Sequence, residues 1–296
     1  MKEFKIAEKR KIWFAIFGVV IVIGLVSMFT KGFNLGIDFT GGTLLELKFN
    51  QQVTVESVRD VLKNYGLENS IIQLAENENK TTEESIVFIR TNILEDANRV
   101  KIMEDLTSTV GSFDVLRVEQ VGAVIGGEIT QQAFTAIAVS WLLMIVYITW
   151  RFEFKFAIAA ILALLQNVLV VLSFFSLFHI EIDASFVAAL LTVVGFSIND
   201  TIVIFDRIRE NLRSHRRADG LEALVNKSVS QTLTRSIYTV MTVLFVTISL
   251  YIFGGDTTKN FSLALLVGFG CGFFTSVFCS GSFWIELNNL KGAKAK

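Results

Sequence analysis

The chain has 296 residues, of which 52% are hydrophobic and only 19% charged, with a mean hydropathy of +0.55. Soluble proteins carry about 25% charged residues, so this composition argues against a soluble globular enzyme and for an integral membrane protein. The net charge of −1 hides an asymmetry, because residues 30–132 hold 9 Lys and Arg against 16 Asp and Glu, whereas the remainder holds 18 against 12.

Met1 to Lys11 carries five basic residues, and the apolar run of residues 12–29 is long enough to span a bilayer. A secretory signal peptide would begin similarly, but no small-residue cleavage pattern follows and five more spans are expected downstream. Hydropathy then falls, and residues 30–132 read as a soluble domain. Residues 43–49 alternate as a strand. A Thr cap at Thr54 opens a helix with Val55, Val58, Val61 and Leu62 on one face. Residues 70–74 and 85–90 form a hairpin across a polar turn. A second helix over 94–110 is expected to bury Leu94, Ala97, Val100, Leu106 and Val110, and residues 113–121 alternate again. The order βαββαβ predicts an α+β ferredoxin-like domain of about 100 residues.

Five apolar runs follow, near 133–150, 156–178, 184–205, 229–253 and 261–284, within a membrane segment of residues 133–284. The expected architecture is a bundle of six transmembrane helices carrying that one inserted domain, with a polar loop at 206–228 and a tail at 285–296. Short loops orient a membrane protein by their Lys and Arg. The N-terminal segment, residues 151–155, residues 206–235 and the tail hold seventeen, whereas residues 179–183 and 254–260 hold one. Both termini are therefore expected in the cytoplasm and the acidic domain outside. Proline is absent, where ordinary usage gives about fifteen; nothing in the sequence explains this. Cys271 and Cys279 stand eight residues apart in one apolar run, too far along a helix for a disulfide.

Polar residues inside the spans carry the functional signal. The fourth run continues directly into Asn199 and Asp200. An ionised side chain at membrane depth costs at least ~2.5–3.5 kcal/mol, so such a residue points to a functional site with a partner. Reaching the headgroups is the competing reading, but Asp200 lies five residues inside Phe205, about 7.5 Å, and its side chain is short. On the fifth span Gln231, Arg235, Thr242 and Ser249 recur at spacings of 4, 7 and 7, which keeps one helical face as a lining for water. Arg235 lies six residues inside Val229 on a span of opposite direction, so it matches Asp200 in depth and is expected to pair with it. Asn199 is the expected orienting neighbour. A purely structural ion pair remains the alternative. Gln166 and Asn167 do not titrate and are read as helix glue, and Gly268 and Gly272 as close helix packing. The arginines after the fourth span suit anionic lipid heads better than nucleic acid.

Three motifs extend this reading. G-I-D-F-T-G-G (Gly36 to Gly42), G-F-S-I-N-D-T-I-V-I-F-D-R-I-R-E-N (Gly195 to Asn211) and S-V-S-Q-T-L-T-R-S (Ser228 to Ser236), followed by Leu250 to Gly255, resemble the SecF family over essentially the whole chain. SecF is the smaller subunit of the bacterial SecD-SecF protein-export complex, a relative of the resistance-nodulation-division transporters. The resemblance implies a multi-pass protein of the bacterial cytoplasmic membrane that uses the proton-motive force in late steps of Sec-dependent export. It implies a SecD-like subunit, a SecYEG-like channel, exported polypeptides and membrane lipids as partners. It implies no nucleic acid, catalytic residue, metal or cofactor, only coupling to protons. Asp200 and Arg235 match the family's intramembrane Asp and Arg, implicated in proton conduction, and Gly36, Asp38, Gly41 and Gly42 its motif after the first span. The chain departs from the family at Ala123 and Asp256, where prolines are common, and at Gln166-Asn167, where His-Asp is common, so no role of that pair transfers.

Other classes stay open on the residues alone: a small-molecule or lipid exporter, for which one 100-residue domain is small, and a non-energised scaffold subunit. An intramembrane aspartyl protease needs two carboxylates sharing a proton, and only Asp200 is clearly at membrane depth. The topology is checked with single cysteines at Asn79 and at Asp219 in a background lacking Cys271 and Cys279. An impermeant reagent in intact cells is expected to label the first and spare the second; equal labelling overturns the six-span arrangement with both termini inside.

Overall fold

The computed structural model describes residues 5–75, 84–214 and 220–293. Asn79 and Asp219, the polar turn joining the hairpin strands, and His215, Arg216 and Arg217 lie outside the described residues. Two units emerge, one of Leu35–Phe134 and one combining the chain before residue 35 with the chain after residue 134.

In chain order the elements are α1 (Arg10–Thr30), a short helical turn Ile37–Thr40, β1 (Gly42–Phe49), α2 (Val55–Lys63), β2 (Ile71–Ala75), β3 (Ser85–Thr91), α3 (Asp96–Thr109) and β4 (Phe113–Val121). These are followed by α4 (Ala123–Arg151), α5 (Phe154–Leu177), α6 (Ala184–Ser214), α7 (Gly220–Phe253) and α8 (Asp256–Phe274). A π-helical turn Thr275–Ser280 leads into α9 (Gly281–Ala293).

In the Leu35–Phe134 unit the sheet runs β2-β3-β1-β4, and each neighbouring pair is antiparallel. Strand alternation decides what each face buries. Leu45, Leu47 and Phe49 of β1 point the same way as their cross-strand neighbours Ile89 and Val87 on β3. They form a core with Val58, Val61 and Leu62 of α2 and with Ile102 and Leu106 of α3. Full burial of such side chains is worth roughly 1.5–3 kcal/mol each, before the conformational entropy of folding is set against it. α2 starts as its cap residue dictates: Thr54 Oγ1 accepts from the Ser57 amide at 3.2 Å. α3 differs from the sequence expectation, because Val100 is 52% exposed while Ile102 is buried. The inward face passes through Ile102 and Leu106, four residues apart, and Val100 sits about 200° around the helix from Ile102.

The other unit contains the helices that meet membrane dimensions. Among the described residues six helices are long and apolar enough to cross: Ala7–Thr30, Ala123–Arg151, Phe154–Leu177, Ala184–Ser214, Gly220–Phe253 and Thr257–Asn289. The chain is a multi-pass membrane protein. Several helices outrun their apolar stretches. α6 continues past Phe205 because Arg207 and Glu210 pair at 2.5 Å, one turn apart, on a solvated face. α5, α6 and α8 are the most deeply covered. Small residues permit their close approach. A Cβ on Gly24 of α1 would lie 1.8 Å from Ser173 Oγ of α5, and one on Gly268 would lie 2.2 Å from Val193 of α6. Ser27 and Ser176 hydroxyls meet at 3.1 Å between α1 and α5. Gln166 Nε2 donates to Cys279 Sγ and Asn167 Nδ2 to the Gly268 carbonyl, which is the helix-bridging role amides are suited to. Both cysteines are free.

Two glycines at the start of β1 are required by geometry. Gly41 has φ +70° and Gly42 φ +121°, and a Cβ on Gly42 would stand 2.4 Å from the Thr91 carbonyl oxygen. That neighbour is backbone and cannot rotate away. Gly42→Ala is therefore expected to destabilise the β1–β3 pairing by about 1–3 kcal/mol. Hydrogen exchange of β1 and β3 amides in the full chain reads the effect as faster exchange; unchanged exchange contradicts it.

Candidate functional site

Asp200 sits in the middle of α6, whose buried face is set by Val193, Val194, Ser197, Thr201 and Ile204. Helical spacing turns Asp200 toward α7, and it is only 8% exposed. Ser236 Oγ of α7 donates to Asp200 Oδ1 at 2.5 Å. That is the one hydrogen bond to the carboxylate among the described residues, and Oδ2 has none. Beside the acid, Thr201 and Ser276 hydroxyls meet at 3.0 Å, and Ser276 Oγ donates to the Ser197 carbonyl at 3.3 Å. α6 is thereby tied to α7 on one side of Asp200 and to the π-helical turn on the other. Inside lipid, where no water competes, each such bond also prevents the cost of an unmet polar group.

The expected direct pair between Asp200 and Arg235 is not formed. Arg235 lies on the exposed face of α7, and no ion pair joins it to Asp200. The buried face of α7 runs through Val229, Thr232, Ser236 and Val240. Arg235 is one position, about 100°, away from Ser236. The neighbouring residue, Ser236, makes the contact with the carboxylate instead. Spacings of 3 and 4 among Val229, Thr232, Ser236 and Val240 are visible in the sequence and mark the inward face.

Asn199, Gln231, Thr242 and Ser249 are exposed as well. Gln231 accepts from Arg207 Nε at 2.7 Å and from Asn211 Nδ2 at 2.9 Å, fastening the ends of α6 and α7. Thr242 and Ser249 donate to carbonyls of their own helix. A cleft of about 430 Å3 opens between α4, α6 and α7, lined by Tyr147, Asp206, Arg207, Gln231, Thr232 and Arg235 among others. Asp200 is shielded from this cleft, whereas Arg235 borders it. In the other unit, Gly36 caps the short turn containing Asp38, and Gly41 and Gly42 link that turn to β1. These residues are remote in sequence from Asp200. Among the described residues no group of three metal-ligating side chains occurs.

A multi-pass bundle with a buried acid and an inserted sheet domain has the character of a membrane transport component. The comparisons specify it further. A family model described as the C-terminal part of the protein export membrane protein SecD/SecF matches residues 101–290, and the SecD/SecF GG motif matches residues 26–53. The protein translocase subunit SecF of Acidaminococcus fermentans is 53% identical over 285 residues, covering 96% of this chain and 97% of that protein. The corresponding subunit of Sebaldella termitidis is 38% identical over 289 residues, covering 98% and 93%. The crystal structure of SecDF from Thermus thermophilus, described as translocon-associated, superposes with a TM-score of 0.86 at 33% identity. It covers 97% of this chain, which spans only 39% of that longer one. The chain belongs to the SecD/SecF family of protein-export membrane proteins, on the SecF side.

The carboxylate's reliance on Ser236 is testable by stability. Ser236→Ala strands a buried acid and is expected to cost about 1–3 kcal/mol. Arg235→Met removes no hydrogen bond to Asp200 and is expected to leave thermal unfolding of the purified chain within about 0.5 kcal/mol of the parent. A larger loss for Arg235→Met than for Ser236→Ala reverses the assignment.

Proposed function

We propose that this chain, as a SecF-type translocase subunit, works with a SecD-like subunit to draw on the proton-motive force in late steps of polypeptide export through a SecYEG-like channel. The observation that carries the reading is the Asp200 carboxylate, held in the bundle by one hydroxyl with its second oxygen unmet. A buried acid in an apolar setting favours its neutral form, and a nearby cation favours its charged form. Arg235 supplies that cation if the packing of α6 against α7 changes. Uptake of a proton from the outer side and release to the cytoplasm then alternate with that packing. Asn199 lies one residue from the acid, and Gln231, Thr242 and Ser249 provide the polar surface along which water approaches. No cofactor is required beyond the proton.

Partnership follows from the same surface. Asn199, Arg235, Thr242 and Ser249 are exposed on spans whose surroundings are hydrocarbon. Leaving a guanidinium there costs at least ~2.5–3.5 kcal/mol, so a second membrane subunit is expected to cover it. Transporters built from repeats place their sites at the junction of two such halves. The domain of residues 30–132 is read as a ferredoxin-like sandwich, supported by the βαββαβ order and by strand order β2-β3-β1-β4. It lies outside the membrane in this reading, with residues 1–11, 206–228 and 285–296 in the cytoplasm. Exported polypeptide is its partner on the outer side.

Membrane vesicles carrying the complex test the reading, with export and proton flux measured under an imposed gradient. Asp200→Asn keeps an acceptor for Ser236 and mimics the protonated acid. It is expected to assemble with the SecD-like subunit but to lose most proton-dependent stimulation of export. Arg235→Met is expected to lose it too while remaining folded. Full stimulation with either substitution reduces the two residues to structural roles.

A further inference from the structure

A second basic feature lies at the ends of α4 and α6, apart from Asp200 and its hydroxyl partner. A cleft of about 460 Å3 is lined by Arg151, Phe152, Glu153, Arg209, Leu212 and Arg213. Arg209, Leu212 and Arg213 are spaced by three and four, so one face of α6 supplies them all. The guanidiniums are organised around an aromatic ring. Arg151 and Arg209 stand 5.5 Å and 5.8 Å from the centroid of Phe152, whose ring is buried against Phe156. Arg209 Nη1 also donates to the Arg151 carbonyl at 3.3 Å. Among the described residues none of the three arginines has an ion pair, whereas Arg207 on the adjacent face is paired with Glu210. Three cations against Glu153 leave the cleft with an excess of two positive charges.

The flanks show which anion this cleft meets. Trp150 is 84% exposed and Phe154 67%, on either side of the loop that carries Phe152. Aromatic residues at the end of a span sit at the headgroup level. Leu142, Leu143 and Val146, directly before them on α4, are exposed and apolar. A phosphate bound in the cleft therefore has a hydrocarbon surface leading away from it. Arginine's planar fork takes a phosphate by two parallel hydrogen bonds, and basic pockets between spans are suited to anionic headgroups.

We propose that the cleft between Arg151, Arg209 and Arg213 is a binding site for one anionic phospholipid, its phosphate held by the guanidiniums and its acyl chains lying along α4. The site depends neither on proton coupling nor on which face of the membrane it occupies. Binding there fixes the junction of α4 and α5 against the end of α6, the helix that carries Asp200.

The purified full chain is exchanged in detergent with dioleoyl phosphatidylglycerol or dioleoyl phosphatidylcholine, and retained lipid is counted by native mass spectrometry. Phosphatidylglycerol is expected to be retained over phosphatidylcholine, and the R151Q/R209Q/R213Q variant to lose roughly tenfold or more of it. The K31Q/K259Q control is expected to match the parent. Phe152→Leu keeps every charge but removes the ring beneath two guanidiniums, and is expected to weaken retention several-fold. Equal retention of the two lipids, an unaltered triple variant, or an equal loss in the control overturns the proposal. Displacement by millimolar inorganic phosphate does so as well, because the cleft would then recognise a free anion. Circular dichroism of each variant separates lost binding from lost folding.

Discussion

Lipid offers no hydrogen bonds, and that one constraint organises the membrane unit. Every buried polar group must find its partner on another helix or on its own backbone. The structure meets this with small hydroxyl residues, which reach a neighbour without forcing helices apart. Ser27 meets Ser176, Thr201 meets Ser276, and Ser236 meets Asp200. Thr232 and Thr247 turn back onto carbonyls of α7 itself. Asp200 is the ionisable exception, its second oxygen unmet like the Asn167 side-chain carbonyl and the Thr275 hydroxyl, because a single hydroxyl leaves half of its capacity unused. A carboxylate so placed is stable in the bundle only with its charge balanced or its proton bound, which is the condition a proton-coupled device exploits.

Close approach of the helices is the second half of the same constraint. Hydroxyls reach across only where backbones are near, and glycines allow that. Gly268 faces Val193, and Gly272 faces Asn167 and Ser197, so α8 lies against α5 and α6 where the polar residues cluster. The π-helical turn Thr275–Ser280 follows directly and carries Ser276 to its contacts with Thr201 and Ser197. One extra residue in that turn shifts the phase of everything after it by about 100° relative to a continuous α-helix.

Much of this was legible in the sequence, for identifiable reasons. Strand β4 has the bounds that alternation gave it, Thr54 caps its helix, and the spans follow from long apolar runs, because those signals are local. The inward face of α7 is less legible. Gln231, Arg235, Thr242 and Ser249 share a face, but burial belongs to the stripe through Val229, Thr232, Ser236 and Val240. Polarity marks a stripe, not which side of the bundle it faces; only tertiary packing decides that. Val100 failed likewise, since several apolar residues on α3 compete for a narrow buried face. The π-helical turn had no sequence signal that periodicity can detect.

What remains exposed is then as informative as what is buried. A guanidinium on Arg235, an amide on Asn199 and hydroxyls on Thr242 and Ser249 stay exposed on α6 and α7. The two helices are thus closed toward their own bundle by hydroxyls and open away from it through charge. Those two faces are about 100° apart on α7, so Arg235 takes the place of Ser236 beside the carboxylate only if the helix turns by about that angle. One helix therefore carries both the hydroxyl that holds the buried acid and the cation on its outer face.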